Sequence, residues 1–297
     1  MRTLRRILVI VPALSASVAA AAPGDVLQVT ATVYPVAYFA ERIAGSAARV
    51  HFPVPPDVDP PFWRPRIPDI AAMQKADLIL LNGADLEKWR TQFTLPQMKL
   101  VDTSAGFRDR QIHIENAVTH SHGPGGQHAH GGTAYTTWLD LELAAQQAEA
   151  VARAMTRKRP GLAAAFNSNL AALKADLAAV DEELKAVAGT KPGLPLLGSH
   201  PVYQYLARRY GLNLQSVHWE PNEMPPEAEW QALQRLRVGH PAQTMLWEAA
   251  PNPKITERLA KLGVRSQVFD PCGNRPPSGD FLSVMRANVI SLRATYP

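Results

Sequence analysis

Residues 196–212 read LLGSHPVYQYLARRYGL. Leu196 and Leu197 close a short apolar run of the length of a buried strand end. Gly198-Ser199 turns the chain, and an amphipathic helix follows. Tyr203, Leu206, Ala207 and Tyr210 recur at the spacing of one helix face, and Gly211 stands where a helix stop belongs. A strand that delivers its end into a loop opening a helix is one step of an α/β chain. His200 sits in that loop, where a side chain can face a crevice instead of a core.

The same step repeats on both sides. Before it, strands are expected at 26–33, 50–54, 78–81 and 99–102. Helices are expected at 36–43 and 67–74, with another begun by residues 86–89. From 194 onward, strands at 194–197, 214–217, 244–247 and 267–270 alternate with helices at 202–210, 226–238, 253–262 and 281–296. Such alternation predicts parallel sheets with helices on their faces. Ligands then bind at the carboxyl ends of the strands, so the loops after Val33, Val54 and Leu81 are lips of a site.

Between the halves lie a helix at 139–155 and a longer one. Leu162, Phe166, Leu170, Leu173, Leu177, Val180, Leu184 and Val187 are spaced by three or four, and Gly189 and Pro192 end the pattern. At 1.5 Å per residue the stripe runs roughly 38 Å. It suits an arm of a bundle or a spine along two α/β halves, and the return of strand-helix alternation favours the spine. The predicted fold is α/β: two lobes, each a mostly parallel sheet flanked by helices, bridged by a single long helix. The division expected is a signal peptide at 1–22, an N-terminal lobe at 23–158, a linking helix at 159–189 and a C-terminal lobe at 190–297.

The first 22 residues have the physics of an export signal. Arg2, Arg5 and Arg6 precede an apolar run at 7–14, then small residues with an Ala-x-Ala choice ending at Ala21. The apolar run is shorter than the ~20 residues of a membrane span. Net charge is +5, and without those three arginines 5 − 3 = +2. That small excess, with no basic run carrying interleaved aromatics, argues against a nucleic-acid partner. Cys272 is the one cysteine, so no intrachain disulfide forms.

Several side chains carry chemistry. His200 offers a neutral imidazole in a turn. Asp270 ends the strand Val268-Phe269 and begins Asp-Pro-Cys-Gly, as an Asx-turn or as a carboxylate facing the crevice. His218 and Glu220 are two apart and share a side if extended. Glu248 follows a strand, and Asp57 and Asp59 could reach in from the other half. Imidazole with carboxylate suits Zn or Mn. Cys272 would bias such a site toward Zn or Cu(I) as a thiolate; otherwise it is a small packed residue. Trp63, Trp138, Trp219 and Trp247 could line the cleft, where a metal chelate or non-metal solute would fit. The tract 105–137 lacks periodicity and reads as a mobile loop. Within it, residues 113–132 are histidine-rich, and the pairs His120-x-His122 and His128-x-His130 sit on a glycine-rich tether suited to weak metal capture. No His-Glu-x-x-His, Gly-x-Ser-x-Gly or phosphate loop points to an enzyme.

Six markers in order resemble a known family. They are Tyr34-Pro35, Ala76-Asp77-Leu78-Ile79-Leu80-Leu81-Asn82-Gly83, the histidine loop, the spine helix, Gly198-Ser199-His200-Pro201 and Asp270-Pro271. The chain is similar to the periplasmic solute-binding proteins of zinc- and manganese-type ABC importers (cluster A-I). The resemblance implies a solute between two lobes, His200 and Asp270 as metal ligands, and a histidine loop that captures metal. His218 and Glu220 are the candidates to complete the site. It implies Zn2+, with Mn2+ or Cu as alternatives, an ABC permease in the inner membrane as partner, a periplasmic location and a monomer. The family's Asp-Pro-His reads Asp59-Pro60-Pro61 here, and Thr136 stands where a second His is usual. A periplasmic metal buffer or chaperone, or a binder of a chelate or other solute, is the alternative.

Overall fold

The computed structural model describes residues 26–114, 119–121, 127–129 and 132–296, with backbone alone at 119–121 and 127–129. The export signal expected at 1–22 lies outside the described residues. In chain order the first half supplies β1 (Leu27–Ala31), α1 (Tyr34–Ala44), β2 (Ala48–His51), α2 (Ile67–Lys75), β3 (Leu78–Leu81) and β4 (Leu100–Asp102). These strands form one parallel sheet in the order β2-β1-β3-β4. All four residues of β3 are buried, as a central strand covered on both faces should be.

Two features depart from the pattern. No α-helix begins at 86–89; a 3-10 turn covers Lys88–Gln92. The cause is Glu87, only 8% exposed. Its carboxylate accepts the Asn82 and Gly83 N–H groups at 2.7 and 3.1 Å and the Thr32 hydroxyl at 2.5 Å. Residues 82–87 are thereby drawn into a tight loop with Ala84 and Asp85 in the left-handed region, φ 49° and 61°. The tract 105–137 is not wholly irregular either. β5 (His113–Ile114) pairs antiparallel with β8 (Gly132–Thr133), and β6 (Thr119–Ser121) with β7 (Gln127–Ala129). Backbone ladders need no apolar face, so side-chain periodicity could not reveal them.

Burial pushes the Glu87 carboxyl from 4.5 up to about 7, against the hydrogen bonds that lower it. Asp85, Lys88, Arg90, Asp102 and Arg108 line the adjoining surface depression. Below pH 4.5 folded and unfolded chains both hold the Glu87 proton. Between 4.5 and 7 the unfolded chain loses it while the folded chain keeps it, so stability falls as pH rises. Above 7 the full cost is present, on the order of 3 kcal/mol at ~1.4 kcal/mol per pH unit. Chemical denaturation of Glu87→Gln is therefore expected to show a stability difference from the parent that shifts in the variant's favour from pH 5 to pH 7 and then levels. A constant difference across that range would refute this role for Glu87.

α3 (Leu141–Lys158) starts later than residue 139, because Thr137–Leu139 forms a 3-10 turn that presents Asp140 as the cap. Asp140 accepts the Glu142 and Leu143 N–H groups at 3.1 and 3.2 Å. Asp140→Ala should cost about 1–2 kcal/mol of stability, read as a lowered thermal midpoint with the metal site unaffected. α4 (Ala163–Gly189) follows and buries Phe166, Leu173, Leu177, Val180, Leu184 and Val187. Leu162 falls in the preceding 3-10 turn and is 37% exposed.

The second half repeats the first. β9 (Pro195–Gly198), α5 (Gln204–Tyr210), β10 (Asn213–Ser216), α6 (Glu227–Gly239), β11 (Thr244–Trp247), α7 (Pro253–Lys261) and β12 (Arg265–Val268) build a parallel sheet, β10-β9-β11-β12. The last helix, α8 (Phe281–Arg293), lies against the first half. Phe281 meets Phe39 edge-on at 5.5 Å and Tyr38 at 5.8 Å. One continuous apolar cluster includes Phe39, Leu143, the α4 stripe, Leu206 and Phe281. The lobes thus share a core, as a rigid spine requires. Among the described residues no helix is long and apolar enough to cross a membrane.

Candidate metal centre

Both sheets are parallel, and a cavity of about 450 Å³ lies between the lobes. Asp57, Asp59 and Tyr135 line it from the first half; Asn222, Glu248 and Asp270 line it from the second. Strand order places the second-half groups. After β10 come His218 and Glu220, after β9 His200, after β11 Glu248 and after β12 Asp270. Every predicted ligand of this half leaves the carboxyl end of a neighbouring strand, and Glu248 emerges between His200 and Asp270.

His200 is 5% exposed. Its Nδ1 lies 3.5 Å from Glu220 Oε1, and its ring centroid is 5.8 Å from that of His218. The Ser199 N–H donates to Leu246 O at 2.8 Å and the Trp219 N–H to Ser199 O at 2.7 Å. The turn is thus fixed to β11 on one side and to the loop carrying His218 and Glu220 on the other. Three of the four predicted side chains come together here. Asp270 stands two strands away and faces the cavity. Its Oδ1 accepts the Cys272 N–H at 2.7 Å, so both readings of Asp270, Asx-turn and cleft carboxylate, hold together.

The cleft is rich in carboxylate. The cleft walls raise the Asp59 carboxyl by desolvation, with Glu220 adding to the rise, although the residue keeps an exposed edge at the rim. Glu248 is raised well above the usual range by burial and then by Asp59, Glu220 and Asp270. Burial raises Asp270 too. The Tyr135 hydroxyl feels the same field, raised by burial, Asp59, Glu248 and Glu220. Like charges gathered in one cleft favour any cation that enters it. In this conformation, among the described residues, no three His, Cys, Asp or Glu groups stand close enough to hold an ion.

The remaining candidates sort clearly. Pro61 and Thr136 both line the cavity, and the Thr136 hydroxyl donates to Val202 O at 2.6 Å. Of the four tryptophans that could line the cleft, Trp138 does. Trp63 packs edge-on against Trp89, and Trp219 and Trp247 belong to the core of the second lobe, because each stacks where a large ring gains most from burial. Cys272 is buried, with its thiol raised by that burial and by Asp270, and suits a packed residue better than a thiolate ligand. The backbone of His120 faces that of His128 across β6 and β7. The side chains of both, and all of His122 and His130, lie outside what is described. Tyr135 and Asn274 had no signal in the sequence: neither belongs to a motif.

Comparison with known proteins agrees with this architecture. A family model described as zinc-uptake complex component A, periplasmic (ZnuA), matches residues 29–295. The high-affinity zinc uptake system protein ZnuA of Bacillus subtilis is 25% identical over 262 residues, covering 83% of this chain and 79% of that protein. The zinc-binding protein AdcA of Streptococcus pyogenes is 24% identical over 287 residues, covering 91% of this chain; the match spans 56% of the longer relative. The crystal structure of the metal-dependent lipoprotein YcdH from Bacillus subtilis superposes with a TM-score of 0.78. It shares 21% sequence identity and covers 91% of this chain and 100% of its own.

Proposed function

Because the chain belongs to the ZnuA family of zinc-uptake components, we propose that it is the extracytoplasmic solute-binding protein of a metal ABC importer, with Zn2+ as its solute. The observation that carries this reading is the gathering of His200, Glu220, Glu248 and Asp270 at the carboxyl ends of four adjacent strands, with Asp59 lining the same cavity as Glu248 and Asp270. His200, Asp270, Glu220 and His218 are the proposed ligands. Zinc accepts imidazole and carboxylate together, and movement of the lip loops would have to join Asp270 to the group at His200. The cation would relieve the carboxylate repulsion, so a loaded cleft is tighter than an empty one.

The ion would pass to an ABC permease in the inner membrane, and the shared core limits how far the lobes can swing. Loading and release then fall to the lip loops. One observation favours Mn2+ as the alternative solute. The first half presents carboxylates to the cavity, with Pro61 and Thr136 among its lining, and harder cations prefer oxygen donors. The pairs His120/His122 and His128/His130 would serve as a weak capture station.

Titration of the exported form, with and without residues 116–132, tests the reading. The loop-deleted chain is expected to bind one zinc ion, more slowly than the intact chain but with its fold unchanged. Competition with Mn2+ separates the two solutes. A loop-deleted chain that binds neither ion would overturn the assignment, and loading at an unchanged rate would remove the loop's role.

A further inference from the structure

We infer that Asn274 is a positioning residue that clasps the two lobes across the cleft and seats Asp59 beside the Asp270 turn. Three polar groups of residues 271–274 bond to the first lobe. Pro271 O accepts the Trp138 indole N–H at 2.7 Å, and Gly273 O accepts the Tyr34 N–H at 2.9 Å. The Asn274 amide goes furthest. Its Nδ2 donates to Pro55 O and to Val58 O, both at 2.7 Å, while its Oδ1 accepts the Arg275 N–H at 2.6 Å.

Those two carbonyls bracket the start of the loop that carries Asp57 and Asp59. That loop holds Pro55, Pro56, Pro60 and Pro61, residues without an N–H, so it has few donors of its own for backbone bonding. A side chain from the other lobe holds it instead. Asp59 follows Val58 in the chain, and its Oδ1 lies 3.9 Å from where a Cβ on Gly273 would stand, which puts the carboxylate near the turn. Asp270 opens that turn and Asn274 closes it. One five-residue segment therefore fixes one cleft carboxylate of the second lobe and the place of one from the first.

This inference rests on the metal-binding reading of the cleft, and its test separates the two. Asn274→Asp keeps the size of the side chain and its Oδ1 but turns an oxygen toward two carbonyls. Asn274→Ala removes the amide altogether. In metal-free protein both variants are expected to raise amide hydrogen exchange in the 57–63 segment several-fold. Zinc affinity is expected to fall about tenfold, and the visible spectrum of the Co2+-loaded site to change. Asp59→Asn should lower affinity similarly without raising that exchange. Raised exchange with parental affinity and spectrum would make Asn274 structural only and overturn the inference, as would parental behaviour in all three readouts. A parent chain that binds no ion in the cleft would overturn the functional reading instead, and this inference with it.

Discussion

Zinc is expected to bind the His200→Ala chain at least roughly a hundredfold more weakly than its parent, with residues 116–132 removed from both so that the capture station does not mask the loss. Groups that merely orient a ligand are worth 10–100-fold in metal affinity, so removal of a proposed ligand itself, the buried His200 imidazole, should reach or exceed the top of that range. His200 is held in place from two sides, by β11 and by the loop after β10, and Glu220 lies 3.5 Å from its Nδ1. An alanine removes that ring nitrogen from beside the carboxylate. Glu248→Gln makes the contrast. Glu248 feels three neighbouring carboxylates, so neutralising it should leave the metal-free chain no less stable while zinc binding weakens. Isothermal titration with a competing chelator reads the affinities, and thermal melts of the metal-free chains read the folds. Parental affinity in His200→Ala, with the fold retained, would take His200 out of the site.

The fold was legible because its logic is periodic. Strands and helices alternate, and apolar residues at spacings of three and four mark α4 across six buried positions. Parallel sheets then put the loop residues on one rim without any knowledge of tertiary contact, which is why His200, Glu220 and Asp270 could be named from the chain. What the sequence could not show was order along the rim. Strand β11 lies between β9 and β12 in the sheet, so Glu248 is interposed between His200 and Asp270, although it is distant from both in the chain. Side chains acting through the other lobe were equally hidden. Asn274 follows an Asp-Pro-Cys-Gly turn that any surface loop could carry, and its partners are backbone carbonyls more than two hundred positions away. The tryptophans misled for a simpler reason: bulk suits a cleft and a core alike, and burial decided for the core at Trp63, Trp219 and Trp247.

Phe281→Ala is expected to lower stability by about 3–5 kcal/mol, the range for emptying a buried aromatic site, and to lower the melting midpoint by on the order of 10 °C. Phe281 opens the last helix of the chain, yet its ring is packed on Phe39 and Tyr38 of the first. The cavity would therefore lie at a seam between lobes, and its effect tells whether they unfold together. Two halves with separate cores would melt in two steps, with only one shifted. A single apolar cluster that runs from α1 through α4 to α8 predicts one cooperative step, shifted as a whole. Calorimetry of parent and variant, both metal-free, distinguishes these outcomes. The result bears on function as well as on stability. If one core holds both lobes, a hinge between them would have to break packed aromatic contacts, and the motion left for loading the cleft is that of the loops at its rim. Two separable transitions would reopen the hinge and with it a different way of capturing the ion.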